Sequence, residues 1–277
     1  MKYDKEFTVA LAGNPNVGKS TVFNALTGLK QHTGNWVGKT VGNATGSYIY
    51  HNNKFEITDL PGTYSLCAHS AEEVTARDHI CFAKPDVTVI VCDASCLERN
   101  LNLVLQVTEI TDKAVMCVNM IVTSTKPIAT IDEAAKKNIT VDIKKLSELL
   151  GIPVVATSAR SKKGLEKLLS AIEKSASGEK KRAPNSVTYT KRIESAVSEL
   201  MPLAVGITDD IRKQRFICLR LLQNDDDIKK SLCSKFGICS QKYGPLLLKA
   251  GELMSKSEKP FTDEIVSCIF ITAEGIA

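Results

Sequence analysis

Residues 7–13 (FTVALAG) form a short unbroken apolar run that ends in glycine, as a strand buried on both faces does. A helical spacing of Val22, Phe23, Ala25 and Leu26 follows it, beginning near Lys19 and closing at Gly28, a natural C-cap. Two alternating runs, 47–51 (SYIYH) and 54–60 (KFEITDL), flank Asn52 and Asn53, whose tolerance of positive φ predicts a hairpin turn. Further strands are predicted at 87–92, 114–118 and 153–157, with helices at about 98–110, 141–150 and 164–175. Glu72 and Glu73 mark another helix start. Short β-branched strands separated by helices predict an α/β fold, a mostly parallel sheet with helices on both faces.

After residue 175 the pattern changes. Residues 175–186 (SASGEKKRAPNS) are polar and read as a linker, so the domains are expected at 1–175 and 187–277, with 176–186 between them. The second part shows helical periodicity alone: 188–200, a helix after a Thr208 cap, 225–236, about 243–255, and a last one after Pro260 with a Thr262 cap. The tail EIVSCIFITAEGIA suits either a packed helix or the approach to a membrane span.

Composition narrows the function classes. With 43% hydrophobic residues and a net charge of +5 the chain is globular, and the excess is too small to imply nucleic acid. The chain has no signal peptide and no run of apolar residues long enough to span a bilayer, so it is expected to be soluble. Nine cysteines without a CxxC pair suggest reduced, mostly buried thiols.

The chemistry concentrates in Gly13–Ser20 (GNPNVGKS), which fits the phosphate-loop pattern between a strand and a helix. Backbone N–H groups of Asn14, Pro15's neighbours Asn16 and Val17, and Gly18 form an anion nest there. Lys19 is expected to reach the β- and γ-phosphates, Ser20 to bind Mg²⁺, and Thr21 to belong to the nucleotide-binding residues. Asp59-Leu60-Pro61-Gly62 ends a predicted strand, placing Asp59 at the edge where α/β sheets bind ligands, near the Mg²⁺ shell, while Gly62 offers an N–H to the γ-phosphate.

GNPNVGKST (13–21), GNWVGKTVG (34–42), DLPGTYSL (59–66), LERNLNLVLQVTE (97–109) and SAR (158–160) together resemble the cytosolic G domain of the FeoB ferrous iron transporter family. The resemblance spans about residues 5–175 and continues less specifically through the helical part, similar to the family's spacer or GDI-like domain. It implies a Ras-like P-loop GTPase that binds GTP or GDP with Mg²⁺, hydrolyses GTP slowly, and serves as the regulatory switch of an iron transporter. The implied partner is the transporter's own membrane domain, with self-association possible in principle, at the cytoplasmic face of the bacterial inner membrane. Thr40 corresponds to the switch I threonine that contacts Mg²⁺ and the γ-phosphate. Asn16, with carbonyls around Asn35 and Trp36, corresponds to a K⁺ site that would stimulate turnover, although Val37 replaces the usual proline there. Thr63 follows Gly62 where Ras-like enzymes carry a water-orienting glutamine, which implies slow intrinsic turnover.

Guanine recognition departs from the pattern. The strand 114–118 leads to Asn119-Met120-Ile121-Val122, so the expected aspartate of Asn-x-x-Asp is a valine. About ten residues intervene before Asp132. Two readings stay open: an insertion that loops out and returns Asp132 to the base, or weakened guanine selectivity. Ser158-Ala159-Arg160 resembles the last guanine motif, with the Ala159 N–H facing the base O6. A GTP-binding switch with negligible hydrolysis and a soluble Era-like GTPase are the competing functions; the helical tail carries no basic stripe to favour the latter.

Overall fold

The computed structural model describes residues 3–29, 44–67, 70–119, 121–122, 130–131, 141–179, 183–236 and 244–277. Six strands form one sheet in the order β2-β3-β1-β4-β5-β8: β1 (Glu6–Gly13), β2 (Ala44–Tyr50), β3 (Asn53–Asp59), β4 (Val87–Asp93), β5 (Ala114–Asn119) and β8 (Val154–Ala156). All pairings are parallel except the β2–β3 hairpin at one edge. The hairpin turn sits one residue earlier than the two asparagines predict. His51 and Asn52 adopt φ of 46° and 63°, while Asn53 already pairs with Tyr50. Two successive positive-φ residues match the right-handed strand twist, which sets the turn by geometry rather than by composition.

Alternation along the central strands divides the core between two faces. Val89, Val91, Val115 and Cys117 face α1 (Lys19–Thr27) and α5 (Leu165–Ala176), packing with Phe23, Leu168 and Ile172. Ile90, Cys92, Met116 and Val118 face the opposite side, with α2 (Ala71–Phe82), α3 (Leu97–Ile110) and α4 (Ile143–Leu150). Each such side chain contributes roughly 1.5–3 kcal/mol when fully buried. The phosphate loop is therefore anchored at the end of β1 where Val9–Gly13 are all buried.

The second part of the chain forms helices α6 (Lys191–Ala204), α7 (Ile211–Leu222), α8 (Asp226–Phe236), α9 (Gly244–Ser255) and α10 (Phe261–Ile276). Two caps differ from expectation: Asp210, not Thr208, caps α7 through the Arg212 N–H, and Thr262 lies inside α10, its hydroxyl donating to the Gln223 carbonyl. The carboxylate of Asp210 is the stronger acceptor and suits the helix dipole. α7 and α10 pack on α3, so one apolar cluster runs from the sheet into the helices. That is why α3 is buried on nearly all sides, through Leu101, Leu103, Val104, Leu105 and Val107. α10 buries Ile265, Ile269 and Ala273 and exposes Val266, Phe270 and Ile271; no described helix is long and apolar enough to cross a membrane. Reduced thiols were expected throughout, yet Cys233 is disulfide-bonded; the seven other described cysteines are free.

The junction of α3 with the helices contains a buried acid. Glu109 accepts a hydrogen bond from Tyr189 Oη at 2.7 Å, and burial raises its carboxyl above the usual range. A carboxyl raised in the folded state stabilises the fold below its unfolded value, and that stability is lost as pH climbs through the raised value. Glu109→Gln keeps an acceptor for Tyr189 and cannot ionise. Its melting temperature is expected to vary less than that of the parent chain from the ordinary glutamate range up to neutral pH; parallel melting profiles would refute this.

Two short strands, β6 (Ile121–Val122) and β7 (Thr130–Ile131), pair antiparallel outside the main sheet, Ile121 opposite Ile131 and Val122 opposite Thr130. The excursion after β5 is thus closed at its base.

Candidate functional site

The loop between β1 and α1 wraps the C-terminal edge of the sheet. Gly13 sits so close to β4 that a Cβ there would lie 2.6 Å from the Val91 carbonyl oxygen. Asn16 and Gly18 both adopt left-handed backbone, φ 65° and 83°, and Gly18 leads into α1 with no side-chain cap. The first turn of α1 therefore points its N–H groups toward the loop without a side-chain cap from Gly18, the arrangement that accepts an anion. Asn14 and Val17 are buried, Pro15 and Thr21 half-buried, and Asn16 is exposed at the loop tip.

Lys19 is ion-paired with Asp59 at the end of β3. Burial raises the Asp59 carboxyl, while Lys19 and a hydrogen bond from Ser20 oppose the rise. Lys19, Ser20 and Asp59, 40 residues apart in sequence, thus meet in one partly buried cluster. The oxygens of Ser20 and Asp59 are the hard donors that Mg²⁺ prefers.

The segment after Asp59 is held against the loop. The Thr63 N–H donates to the Gly13 carbonyl at 3.1 Å, and a Cβ on Gly62 would lie 3.2 Å from Pro15 Cα. Thr63 is buried, its hydroxyl donating to the Ser65 carbonyl at 2.5 Å and lying 3.3 Å from Glu73 Oε1. That side chain is committed to the local turn.

Asn119, at the end of β5, is a three-way tie. Its amide donates to the Val17 carbonyl at 3.1 Å, and its Oδ1 accepts from the Ala159 N–H at 3.2 Å and from Thr157 Oγ1 at 3.4 Å. The Ala159 N–H, expected to face a base, thus has an intramolecular acceptor. Ser158 is buried and hydrogen-bonded to Ser161, whereas Arg160 is exposed. Asn119→Ala leaves the Val17 carbonyl and the Ala159 N–H without that partner. It is expected to cost about 1–3 kcal/mol in urea unfolding, against under about 0.5 kcal/mol for Asn16→Ala at the exposed tip. Equal losses at the two positions would contradict this assignment.

The structure thus brings together Asn14, Pro15, Asn16, Val17, Gly18, Lys19, Ser20, Thr21, Asp59, Gly62, Asn119, Ser158 and Ala159. Asn35, Trp36, Thr40, Met120 and Asp132 lie outside the described residues.

Sequence reasoning missed the residues linking the post-Gly62 segment to the rest. Gln106 on α3 accepts from the Leu66 N–H at 2.8 Å and from Ser65 Oγ at 3.1 Å. Arg77 on α2 is fully buried and bonds Asp225 and Ser231 of the helical part. An arginine among the apolar positions of α2 was the available signal; its partners lie some 150 residues on.

Comparison with known proteins agrees with this geometry. Residues 7–172 match the family model described as ferrous iron transport protein B. The chain is 38% identical over 258 residues to the Fe(2+) transporter FeoB of Methanocaldococcus jannaschii, covering 87% of this chain but only 36% of that protein. The chain therefore spans little more than a third of that relative's length. Among solved structures, an S. thermophilus NFeoB mutant bound to GMPPNP superposes with a TM-score of 0.79 at 29% identity, covering 98% of each chain. S. thermophilus NFeoB bound to GDP.AlF4- and K⁺ gives a TM-score of 0.76, also at 29% identity and 98% of both chains.

Proposed function

The chain belongs to the ferrous iron transport protein B family, as its N-terminal G domain with the helical part that follows, and from that premise we propose that it binds GTP, hydrolyses it slowly, and acts as the cytosolic switch of a ferrous iron transporter. The observation that carries this reading is the convergence of Lys19, Ser20 and Asp59 beside a loop with left-handed backbone at Asn16 and Gly18 that leads into α1 without a side-chain cap. Residues 1–175 form the GTPase domain and 187–277 the helical domain, joined through 176–186. The membrane domain of the transporter is the proposed partner, at the cytoplasmic face of the cell membrane.

Each residue has a role in the hydrolysis of GTP by water to GDP and phosphate. The loop N–H groups from Asn14 to Lys19 bind the phosphate oxygens, and the Lys19 ammonium turns from Asp59 to the β- and γ-phosphates. Ser20 and Asp59, with Thr40, would hold Mg²⁺, which when bound neutralises phosphate charge. Asn16, with Asn35 and Trp36, would hold K⁺ beside the phosphates; the exposed amide of Asn16 fits that task. Gly62 presents its N–H to the γ-phosphate. Thr63, buried and bonded to its own turn, cannot orient the attacking water, which supports slow turnover. The same burial favours the second reading, a switch with negligible hydrolysis.

Steady-state phosphate release in K⁺ and in Na⁺ separates the two. The expected result is stimulation by K⁺ of at least about tenfold, less than the roughly 10²–10³ that one group placed at developing charge supplies, and its loss in Asn16→Ala. Equal rates in both salts, for both proteins, would leave the switch without cation-assisted hydrolysis.

A further inference from the structure

Arg220 on α7 is wholly buried, so its guanidinium, which cannot shed its proton, has to find acceptors inside the protein. It finds few. Nη1 donates to the sulfur of Cys67, its plane lies 5.0 Å from the Phe216 ring, and Nε and Nη2 have no partner among the described residues. Glu109 acts on it only through charge; its Oε1 is taken by Tyr189, its buried Oε2 makes no hydrogen bond to the guanidinium, and burial pushes its carboxyl up. Arg215 is engaged with Glu194.

A second unused donor lies beside the same sulfur. The Cys67 thiol donates to Gln223 Oε1 at 3.5 Å, while the buried Gln223 Nε2 has no partner among the described residues. Turning that amide over presents an N–H to the sulfur instead. Three buried N–H-bearing nitrogens without acceptors, on two side chains that both touch one sulfur, form a cradle that lacks an oxygen. Buried donors left without acceptors are costly, which rewards any group that supplies an acceptor. Cys67 itself is half-buried, eight residues after the end of β3, on the segment that follows Gly62.

We propose that Cys67 is an oxidation site: a peroxide converts its S–H to S–OH, and the new oxygen is held by the unused donors of Arg220 and Gln223, fastening the segment after Gly62 onto α7. The S–H bond gives way to an S–O bond, sulfur loses two electrons, the peroxide O–O bond takes them, and one water leaves. The helical part thereby gains a chemical hold on the segment that senses the phosphate site.

Hydrogen peroxide followed by dimedone trapping and peptide mass spectrometry tests this on the full chain. Cys96 is exposed and serves as the internal standard. Cys67 is expected to be trapped at least about tenfold more than Cys96, because environment and not exposure alone selects oxidised cysteines. Gln223→Leu and Arg220→Lys are each expected to bring Cys67 down toward Cys96; Gln223→Leu spares the buried cation and serves if Arg220→Lys fails to fold. Oxidation is also expected to raise the melting temperature of the parent chain and not that of Cys67→Ser. Trapping that follows exposure, with Cys96 ahead, overturns the site, and an unchanged or lowered melting temperature overturns the fastening.

Discussion

Lys19→Ala is expected to reduce GTP turnover by about 30- to 5,000-fold. That range is the 2–5 kcal/mol lost when one partner of a buried, hydrogen-bonded charge pair is truncated, at 1.36 kcal/mol per factor of ten. Two losses combine. In the proposed role the phosphates lose the Lys19 ammonium, and Asp59, 7% exposed, loses its cation. Burial already raises the Asp59 carboxyl, and Lys19 is the largest influence holding it down. Without the amine the carboxyl climbs further. The nucleotide-free variant is therefore expected to be least affected below the ordinary aspartate range and to lose stability as pH rises through the raised value. Single-turnover hydrolysis, calorimetric titration with a non-hydrolysable GTP analogue, and melting across pH measure the three parts. A variant within threefold of the parent chain in both binding and turnover would remove Lys19 from the site.

The second large effect is expected at Asp132. Guanine offers N1–H and N2–H donors, and a carboxylate that accepts both discriminates against adenine by leaving the wrong base unpaired. Val122, at the fourth position after Asn119 in sequence, has nothing to accept with. The β6–β7 pairing supports assigning the role across the insertion, because Ile131, one residue before Asp132, lies opposite Ile121, two residues after Asn119. Loop closure over so few residues costs little and grows slowly with length. Asp132→Ala is expected to cost about 2–4 kcal/mol of guanine preference, a loss of about 30- to 900-fold in the GDP-to-ADP affinity ratio. Competition of GDP, ADP and XDP against a fluorescent GDP reads it directly. A parent chain that binds GDP and ADP alike would mean that the insertion has abolished base recognition. Asp132→Asn adds a sharper check, since an amide that can donate is expected to exchange guanine preference for xanthine.

The phosphate loop was legible because its chemistry is local. Glycines at 13 and 18, Lys19 and Ser20 fall within one stretch of eight residues, and each acts through backbone geometry or a short reach. The strand–loop–helix context followed from apolar periodicity, and Gly28 closes α1 as the pattern predicts. The turn at His51–Asn52 and the cap at Asp210 were displaced by one or two residues, because neighbouring polar residues compete for such positions and backbone twist or acceptor strength decides. Thr63 shows the opposite limit. Its failure to match glutamine was visible in sequence, but its burial against Ser65 and Glu73 was not.

Asn119 illustrates how the site is completed. In sequence it is the first residue of a broken motif; in the fold it joins the phosphate loop at Val17 to the turn at Ala159, positions separated by 102 and 40 residues. The connections of Arg77 to Asp225 and of Arg220 to Cys67 belong to the same class.

The amino-acid sequence by itself determined the strands and helices, the phosphate loop, the resemblance to iron-transporter G domains and the helical character of residues 187–277, since each depends on periodicity or on residues within a few positions of one another. Tertiary structure alone decided which charges are buried and with whom: Lys19 with Asp59, Arg77 with Asp225, and Arg220 against Cys67. It also decided that the helices share one apolar core with the sheet. The physical reason is that a charge's cost and its partner depend on what solvent is excluded around it, and that exclusion is set by segments distant in the chain meeting in space.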